Sequence, residues 1–293
     1  MTPLCLTYVG LRSSLSAMEQ PGLPPVIPDE QPSKPMVSRW RWGLHLIVLA
    51  AYPITIGIAG AHMKPGSGPM LPSDPVQLVT GVAEQLSLFG VVCLLAWWAS
   101  RASEDDLRLR WTSGLAPLSR GVLYGIGLQL GVMLIGIILR ALVTVLGGHP
   151  ETLEKLQPEY ERLVDPAQLA SKPILVLLNV TLVSFVMGGF SEELWRSGML
   201  AGLAGVAPNL FRSPKGQVWA VCVAAISFGL GHLAQGWGGV VVTSILGAAL
   251  GLIMIWHRTI WTAVFAHGVF DAASFLLIYF VAKYYPEQLH KIG

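Results

Sequence analysis

Long apolar segments dominate this sequence and leave it few possible folds. The hydrocarbon core of a bilayer takes about 20 apolar residues per helical span, and it offers no water to an unpaired backbone, so such segments cross it as helices. We therefore predict an all-α protein, a polytopic transmembrane helical bundle with about seven to eight spans. The seven apolar segments lie at 43–61, 78–99, 121–146, 174–203, 217–235, 238–256 and 259–282.

Charge and cysteine content exclude several other classes of protein. Only 12% of the residues are charged, against roughly 25% in soluble domains. The net charge is +2 and the basic residues are scattered, so no nucleic-acid partner is indicated. The cysteines, Cys5, Cys93 and Cys222, show no CxxC spacing and indicate neither a disulfide framework nor a thiolate metal site.

The chain divides into four regions by composition. Residues 1–38 are polar and rich in proline, which predicts a disordered, cytoplasmic N-terminal segment. Residues 39–173 hold the first three apolar segments and their loops, and residues 174–282 hold the other four segments. Residues 283–293 form a C-terminal tail.

Basic residues lie before the first apolar segment and after the second. Loops rich in Lys and Arg stay in the cytoplasm under the positive-inside rule. We therefore predict an integral multi-pass membrane protein of the plasma membrane with a cytoplasmic N-terminus. The residues behind this prediction are Lys34, Arg39, Arg41, Arg101, Arg108, Arg110 and Arg120.

Polar side chains form three clusters inside the later apolar segments. An ionisable group within a span costs at least about 2.5–3.5 kcal/mol, so its presence there indicates a function. Water activation by a Glu base, metal coordination and proton or ion transfer are all compatible with these residues. A structural alternative is a neutralised surface cluster of acidic and basic residues at the end of the fourth segment. The clusters are Glu192, Glu193 and Arg196; Phe228 and His232; and His267 and Asp271.

In this order, the clusters resemble the motifs of the CPBP family of intramembrane proteases. That family groups CAAX prenyl endopeptidases of the Ras-converting type with bacteriocin-processing enzymes, and its pattern is EExxxR, then FxxxH, then HxxxN or HxxxD. The resemblance covers about residues 174–275. The matching residues are Glu192 with Glu193, Phe228 with His232, and His267 with Asp271.

The first motif departs from the family pattern in one place. The sequence reads EELWRS, so Arg196 comes one residue early and Ser197 stands where the family has Arg. The shift rotates the guanidinium by about 100° around a helix. Pairing of Arg196 with Glu193 at i+3 leaves Glu192 free as a base, and we favour this alternative. Pairing with Glu192 at i+4 would lower the pKa of that carboxylate and weaken it as a proton acceptor.

The resemblance implies a role for each motif residue. Glu192 would be the general base that activates water, with His232 beside it. His267 and Asp271 would steady the developing oxyanion or the attacking water. Two readings of the cofactor remain open: His232, His267 and Glu192 could hold a catalytic zinc ion, or paired carboxylates could activate water without a metal, the reading we favour.

The predicted function is therefore that of an intramembrane endopeptidase, similar to CAAX proteases, acting on a peptide or protein substrate in the lipid bilayer. The alternative is a non-catalytic membrane factor of the same fold, active in bacteriocin self-immunity or partner binding. A CAAX substrate carries a prenyl group on a C-terminal cysteine, and the sequence does not identify such a substrate.

Overall fold

The computed structural model describes residues 37–62, 68–111, 114–149, 153 and 158–289. The predicted disordered segment 1–38 lies outside the described residues except for its last two positions, as does the end of the C-terminal tail. The described chain is helical, which confirms the predicted all-α class.

Eleven α-helices are described, with two short 3-10 turns, Tyr160–Arg162 and Leu233–Gln235, and one π-helix, Asn179–Glu192. In chain order, the α-helices are α1 Arg39–Ala61, α2 Pro75–Ser100, α3 Ala116–Val145, α4 Pro166–Ser171, α5 Pro173–Leu178, α6 Glu193–Val206, α7 Pro208–Phe211, α8 Pro214–Leu230, α9 Gly236–His257, α10 Ile260–Tyr284 and α11 Pro286–Leu289.

Local sequence determines where the long helices begin. Asp74 accepts a hydrogen bond from the backbone N–H of Gln77 at the start of α2 (2.9 Å), and Ser213 does the same for Gly216 at the start of α8 (3.1 Å). These side chains satisfy backbone donors that a first helical turn leaves free. A proline follows each cap, where its missing N–H costs nothing.

Six helical stretches within the described residues are long and apolar enough to cross a membrane, one fewer than the seven apolar segments. The difference lies at the predicted segment 217–235, which divides between α8, 17 residues long, and a 3-10 turn. The chain turns at Gly231 because α1 approaches closely there: a Cβ at Gly57 would collide with the carbonyl of Leu230. The six stretches are Arg39–Gly60, Pro75–Ser100, Ala116–Val145, Pro173–Val206, Leu233–His257 and Ile260–Tyr284.

One end of the bundle carries most of the basic residues that the structure describes, and we call it the arginine-rich end. Contacts identify this end: Arg41 donates to the carbonyl of Ala99 (2.6 Å), and Thr259 donates to that of Arg110 (2.9 Å). The start of α1, the end of α2 and the start of α10 therefore meet here. Its basic residues are Arg39, Arg41, Arg101, Arg108, Arg110, Arg120, Arg212, Lys215 and Arg258.

Helix α10 occupies the centre of the packing, against α3 on one side and the π-helix on the other. Gly121 and Gly125 bring α3 close, since a Cβ at Gly125 would lie 2.7 Å from the carbonyl of Ala266. On the opposite side, a Cβ at Gly189 would lie 2.7 Å from the carbonyl of Val264. Small residues thus allow close backbone contact on both faces of the helix that carries His267.

Candidate active site

The paired glutamates lie where the π-helix Asn179–Glu192 continues into α6. A π-helix forms i→i+5 hydrogen bonds and is usually a single turn at a functional site, so a run of 14 residues is long. The Ser184 hydroxyl follows the same spacing and donates to the carbonyl of Asn179 (2.7 Å). Glu192 and Glu193 therefore follow a widened helix whose side-chain spacing differs from that of an α-helix.

His267 lies at the centre of the site and approaches three carboxylates. Its Nδ1 is 2.9 Å from Glu193 Oε1, and its Nε2 is 3.5 Å from both Glu192 Oε2 and Asp271 Oδ2. The carboxylate of Glu193, paired with Arg196, accepts hydrogen bonds only, so we assign the proton to Nδ1. The structure thus joins the first and third sequence motifs around one imidazole.

Arg196 pairs with Glu193, the alternative favoured from the sequence. Both side chains are fully buried, so this pair is not part of a surface cluster and that structural alternative is wrong for it. The guanidinium also lies over the Phe228 ring, 4.5 Å from Cζ to the ring centroid, a cation–π contact. Glu192 keeps its carboxylate free of Arg196.

Ser197, which stands where the family has Arg, lies in a tight contact with the loop after α2. This serine is fully buried, and its hydroxyl donates to the carbonyl of Leu107 (2.5 Å) in the loop after α2. An arginine at position 197 would have to enter this contact between α6 and the loop. Arg196 lies on a different face of α6, from which it can contact both Glu193 and Phe228.

His232 follows the end of α8, in the turn held close to α1. Its Nδ1 donates to the carbonyl of Phe228 (3.0 Å), which leaves Nε2 as an acceptor in the neutral tautomer. The ring centroids of His232 and Phe228 lie 4.6 Å apart, and those of Phe228 and His267 lie 6.2 Å apart. Phe228 thus packs between the two histidines and beneath the guanidinium of Arg196.

The acidic residues differ sharply in exposure. The side chains of Glu192 and Asp271 are 28% and 26% exposed, whereas that of Glu193 is fully buried. Glu192 and Asp271 therefore face an opening on the same side of His267. A reacting group can reach these two carboxylates, and the ion pair behind them is closed to it.

Sequence reasoning missed two residues of the first two spans, Tyr52 and Gln85. Tyr52 lies beside Gln85 and within electrostatic range of Glu192, and its ring packs against Phe89, with centroids 5.6 Å apart. Neither residue belongs to a motif at helical spacing. Their position depends on how α1 and α2 pack on the π-helix, which no local pattern predicts.

The three candidate zinc ligands are not gathered into one group in the part of the chain that the structure describes. Among the described residues, no group of three or more His, Cys, Asp or Glu side chains is arranged to hold a metal ion. Nδ1 of His232 and Nδ1 of His267 already donate to Phe228 and Glu193. Nε2 of each ring stays available as a ligand atom, because a histidine that binds a metal usually donates its other N–H in this way.

Gly188 is required for the position of Asp271. A Cβ at residue 188 would collide with the Asp271 carboxylate, a contact closer than any real Cβ allows. We expect Gly188→Ala to displace this carboxylate and lower turnover of a peptide substrate at least about tenfold, as small misplacements in active sites do. Gly127→Ala is the matched control, because a Cβ there meets nothing within 4 Å. Equal turnover of the two purified variants would contradict the requirement.

One comparison with known proteins matches the part of the chain that holds this site. Residues 173–273 match the model of a family described as type II CAAX prenyl endopeptidase Rce1-like. No curated protein and no solved structure matches the chain. The matched stretch contains the π-helix, both glutamates, both histidines and Asp271. Over about a third of its length, the chain is therefore similar to the Rce1-like type II CAAX prenyl endopeptidases, which agrees with the resemblance to the CPBP family.

Proposed function

We propose that this protein is an intramembrane endopeptidase in which Glu192 activates the attacking water. The observation that carries the proposal is the approach of Glu192 and Asp271 to the same nitrogen of His267, 3.5 Å from each, at the exposed side of a buried ion pair. These distances are longer than that of a strong hydrogen bond. A water molecule between the two carboxylates and the imidazole can form hydrogen bonds with all three.

Glu192 serves as the general base in the proposed reaction. It takes a proton from water as the water oxygen attacks the carbonyl carbon of the scissile peptide bond. The tetrahedral intermediate then collapses, the carbon–nitrogen bond breaks, and Glu192 returns the proton to the leaving amine. Positioned acid–base catalysis of this kind contributes about 10²–10⁴-fold to a rate.

The two histidines orient the reacting groups. Glu193 holds His267 through Nδ1, so Nε2 is presented to Glu192, Asp271 and the water between them. His232 is held through Nδ1 by the carbonyl of Phe228, which leaves its Nε2 to accept a hydrogen bond from the water or the substrate. Locking each ring through its other nitrogen fixes its tautomer and orientation.

The proposed substrate is a peptide or protein cleaved within the depth of the bilayer. Glu192 lies 14 residues before the end of α6 at Val206, a rise of about 21 Å. We place the arginine-rich end in the cytoplasm of a multi-pass plasma-membrane protein, because basic loops remain on that side.

Peptide-library cleavage by the purified full-length protein tests the proposal. We expect His267→Ala to lower turnover about 10²-fold or more, because Glu192 loses its partner. His257→Ala is the matched control: His257 is partly exposed and contacts Tyr124 at 3.1 Å, at the end of α9. Full activity of the His267 variant, or an equal loss in both variants, would overturn the site.

Two further measurements distinguish the metal-free endopeptidase from a metal-dependent one and from a non-catalytic protein. Turnover should survive a metal chelator, because the proposed steps use only side chains; a complete, zinc-reversible loss would show that a metal takes part. Absence of cleavage from every peptide by a folded, inserted protein would favour the non-catalytic alternative in self-immunity or partner binding.

A further inference from the structure

A cavity lined by two arginines lies at the arginine-rich end, away from the candidate active site. Its volume is about 300 Å³, the lower limit for ligand pockets and about ten times the share of one water molecule in the liquid. Three lining residues are polar and five are apolar. They are Arg108, Arg212 and Gln217, and Leu200, Ala204, Phe211, Ala220 and Ile255.

Both arginines of this cavity lack a carboxylate partner at ion-pair distance among the described residues. Of the nearby acids, Asp105 pairs with Arg110 at 2.8 Å, and Asp106 accepts hydrogen bonds from Ser103 and lies close enough to Arg108 to offset part of its charge. Two arginines that line one cavity without a carboxylate at ion-pair distance give it a positive charge, which favours binding of an anionic group.

Arg108 also adopts an unusual backbone conformation. Its φ is +53°, in the left-handed region that side chains other than glycine rarely adopt. The backbone is held there from both sides, by a bond from its N–H to Asp105 and a bond from Ile260 to its carbonyl. Strained residues of this kind cluster at ligand sites. Burial lowers the pKa of the Arg108 guanidinium, an effect that Asp106 partly offsets.

The surroundings indicate a ligand from the membrane surface. Trp219 and Trp256 adjoin the lining residues Ala220 and Ile255, and they are 64% and 83% exposed. Exposed tryptophans favour the headgroup region of a bilayer. Basic pockets between spans on the cytoplasmic side recognise anionic headgroups, and the apolar wall of this cavity suits the glycerol and upper acyl carbons.

We propose that this cavity binds a phosphate group, that of an anionic phospholipid, with Arg108 and Arg212 as its ligands. Guanidinium groups match phosphate oxygens with two parallel hydrogen bonds. The cavity is separate from the catalytic groups: Leu200 and Ala204 lie about one and two helical turns beyond Arg196 on α6. The proposal does not depend on proteolysis.

Native mass spectrometry of the purified full-length protein tests the proposal. The probes are phosphatidylglycerol and a diacylglycerol with the same acyl chains but no phosphate. We expect one phosphatidylglycerol to be retained per chain, and the double variant Arg108→Gln/Arg212→Gln to lower its retention about tenfold. Arg39→Gln/Arg120→Gln is the matched control, since these arginines lie at the same end outside the cavity.

A steric variant keeps the test independent of charge. Ala204→Phe should fill the cavity and lower retention while leaving both arginines in place. Inorganic phosphate that displaces the lipid at millimolar concentration would support the phosphate site and assign it to free phosphate. Equal retention of phosphatidylglycerol by all variants, or displacement only by a peptide with a free terminal carboxylate, would overturn the proposal.

Discussion

Replacing Glu192 with Gln is expected to abolish peptide hydrolysis while the protein stays folded and inserted. The amide keeps the size of the side chain but cannot take a proton from water, so the loss should reach about 10²–10⁴-fold. Turnover of a defined peptide by the purified variant measures the effect, and thermal unfolding in the same detergent confirms the fold.

Glu84→Gln is the matched control for this variant. Glu84 is an exposed glutamate on α2, outside the candidate site, so the same change of charge should leave turnover unaltered. A Glu192→Gln protein that cleaves at the wild-type rate would remove the proposed base, and the remaining residues would then have to be reassigned.

Breaking the buried ion pair of Arg196 and Glu193 should have the largest effect on the stability of the protein. Arg196→Met removes one partner of a fully buried pair and leaves the charge of Glu193 uncompensated. Breaking such a pair lowers the free energy of unfolding by about 3–5 kcal/mol. Turnover should fall too, because Glu193 holds His267 through Nδ1. Unfolding of the purified variant in mixed micelles measures the loss.

A double-mutant cycle separates the pair from its environment. Glu193→Gln together with Arg196→Met removes both charges and should recover a large part of the lost stability. The control pair is Glu159 with Arg162, whose side chains are about half exposed; breaking it should cost no more than about 1 kcal/mol. An Arg196→Met protein as stable as the wild type would contradict the buried pair.

The spans were predictable from the sequence because bilayer thickness sets the length of an apolar helix. The predicted segment 121–146 corresponds to α3 Ala116–Val145, and 238–256 to α9 Gly236–His257. The segment 217–235 was assigned too long, because composition does not show that Gly231 ends α8 against α1. Hydropathy reflects the free energy of transferring a residue out of water, and it carries no information on the contacts between helices.

The sequence predicted which side chains would meet in the candidate site but not how they would be arranged. The motif spacings identify His267 and Asp271 as neighbours on one helix. In the structure, His267 Nε2 lies 3.5 Å from Asp271 Oδ2. A sequence pattern with 3.6 residues per turn predicts an α-helix and does not predict a π-helix. The i+3 contact of Arg196 depends on burial and on Phe228, which lies 32 residues further along the chain.

The long separation between Glu193 and His267, 74 positions, bears on how the protein is made. Ribosomes deliver helices to the membrane in chain order, so both glutamates enter the bilayer long before α10 has been synthesised. The π-helix, which ends at Glu192, packs against α10 at Gly189. During most of translation α10 has not been synthesised, so this packing surface is absent. A nascent or truncated chain thus lacks the imidazole that completes the site. If the proposed endopeptidase activity needs His267, it begins only at the end of synthesis.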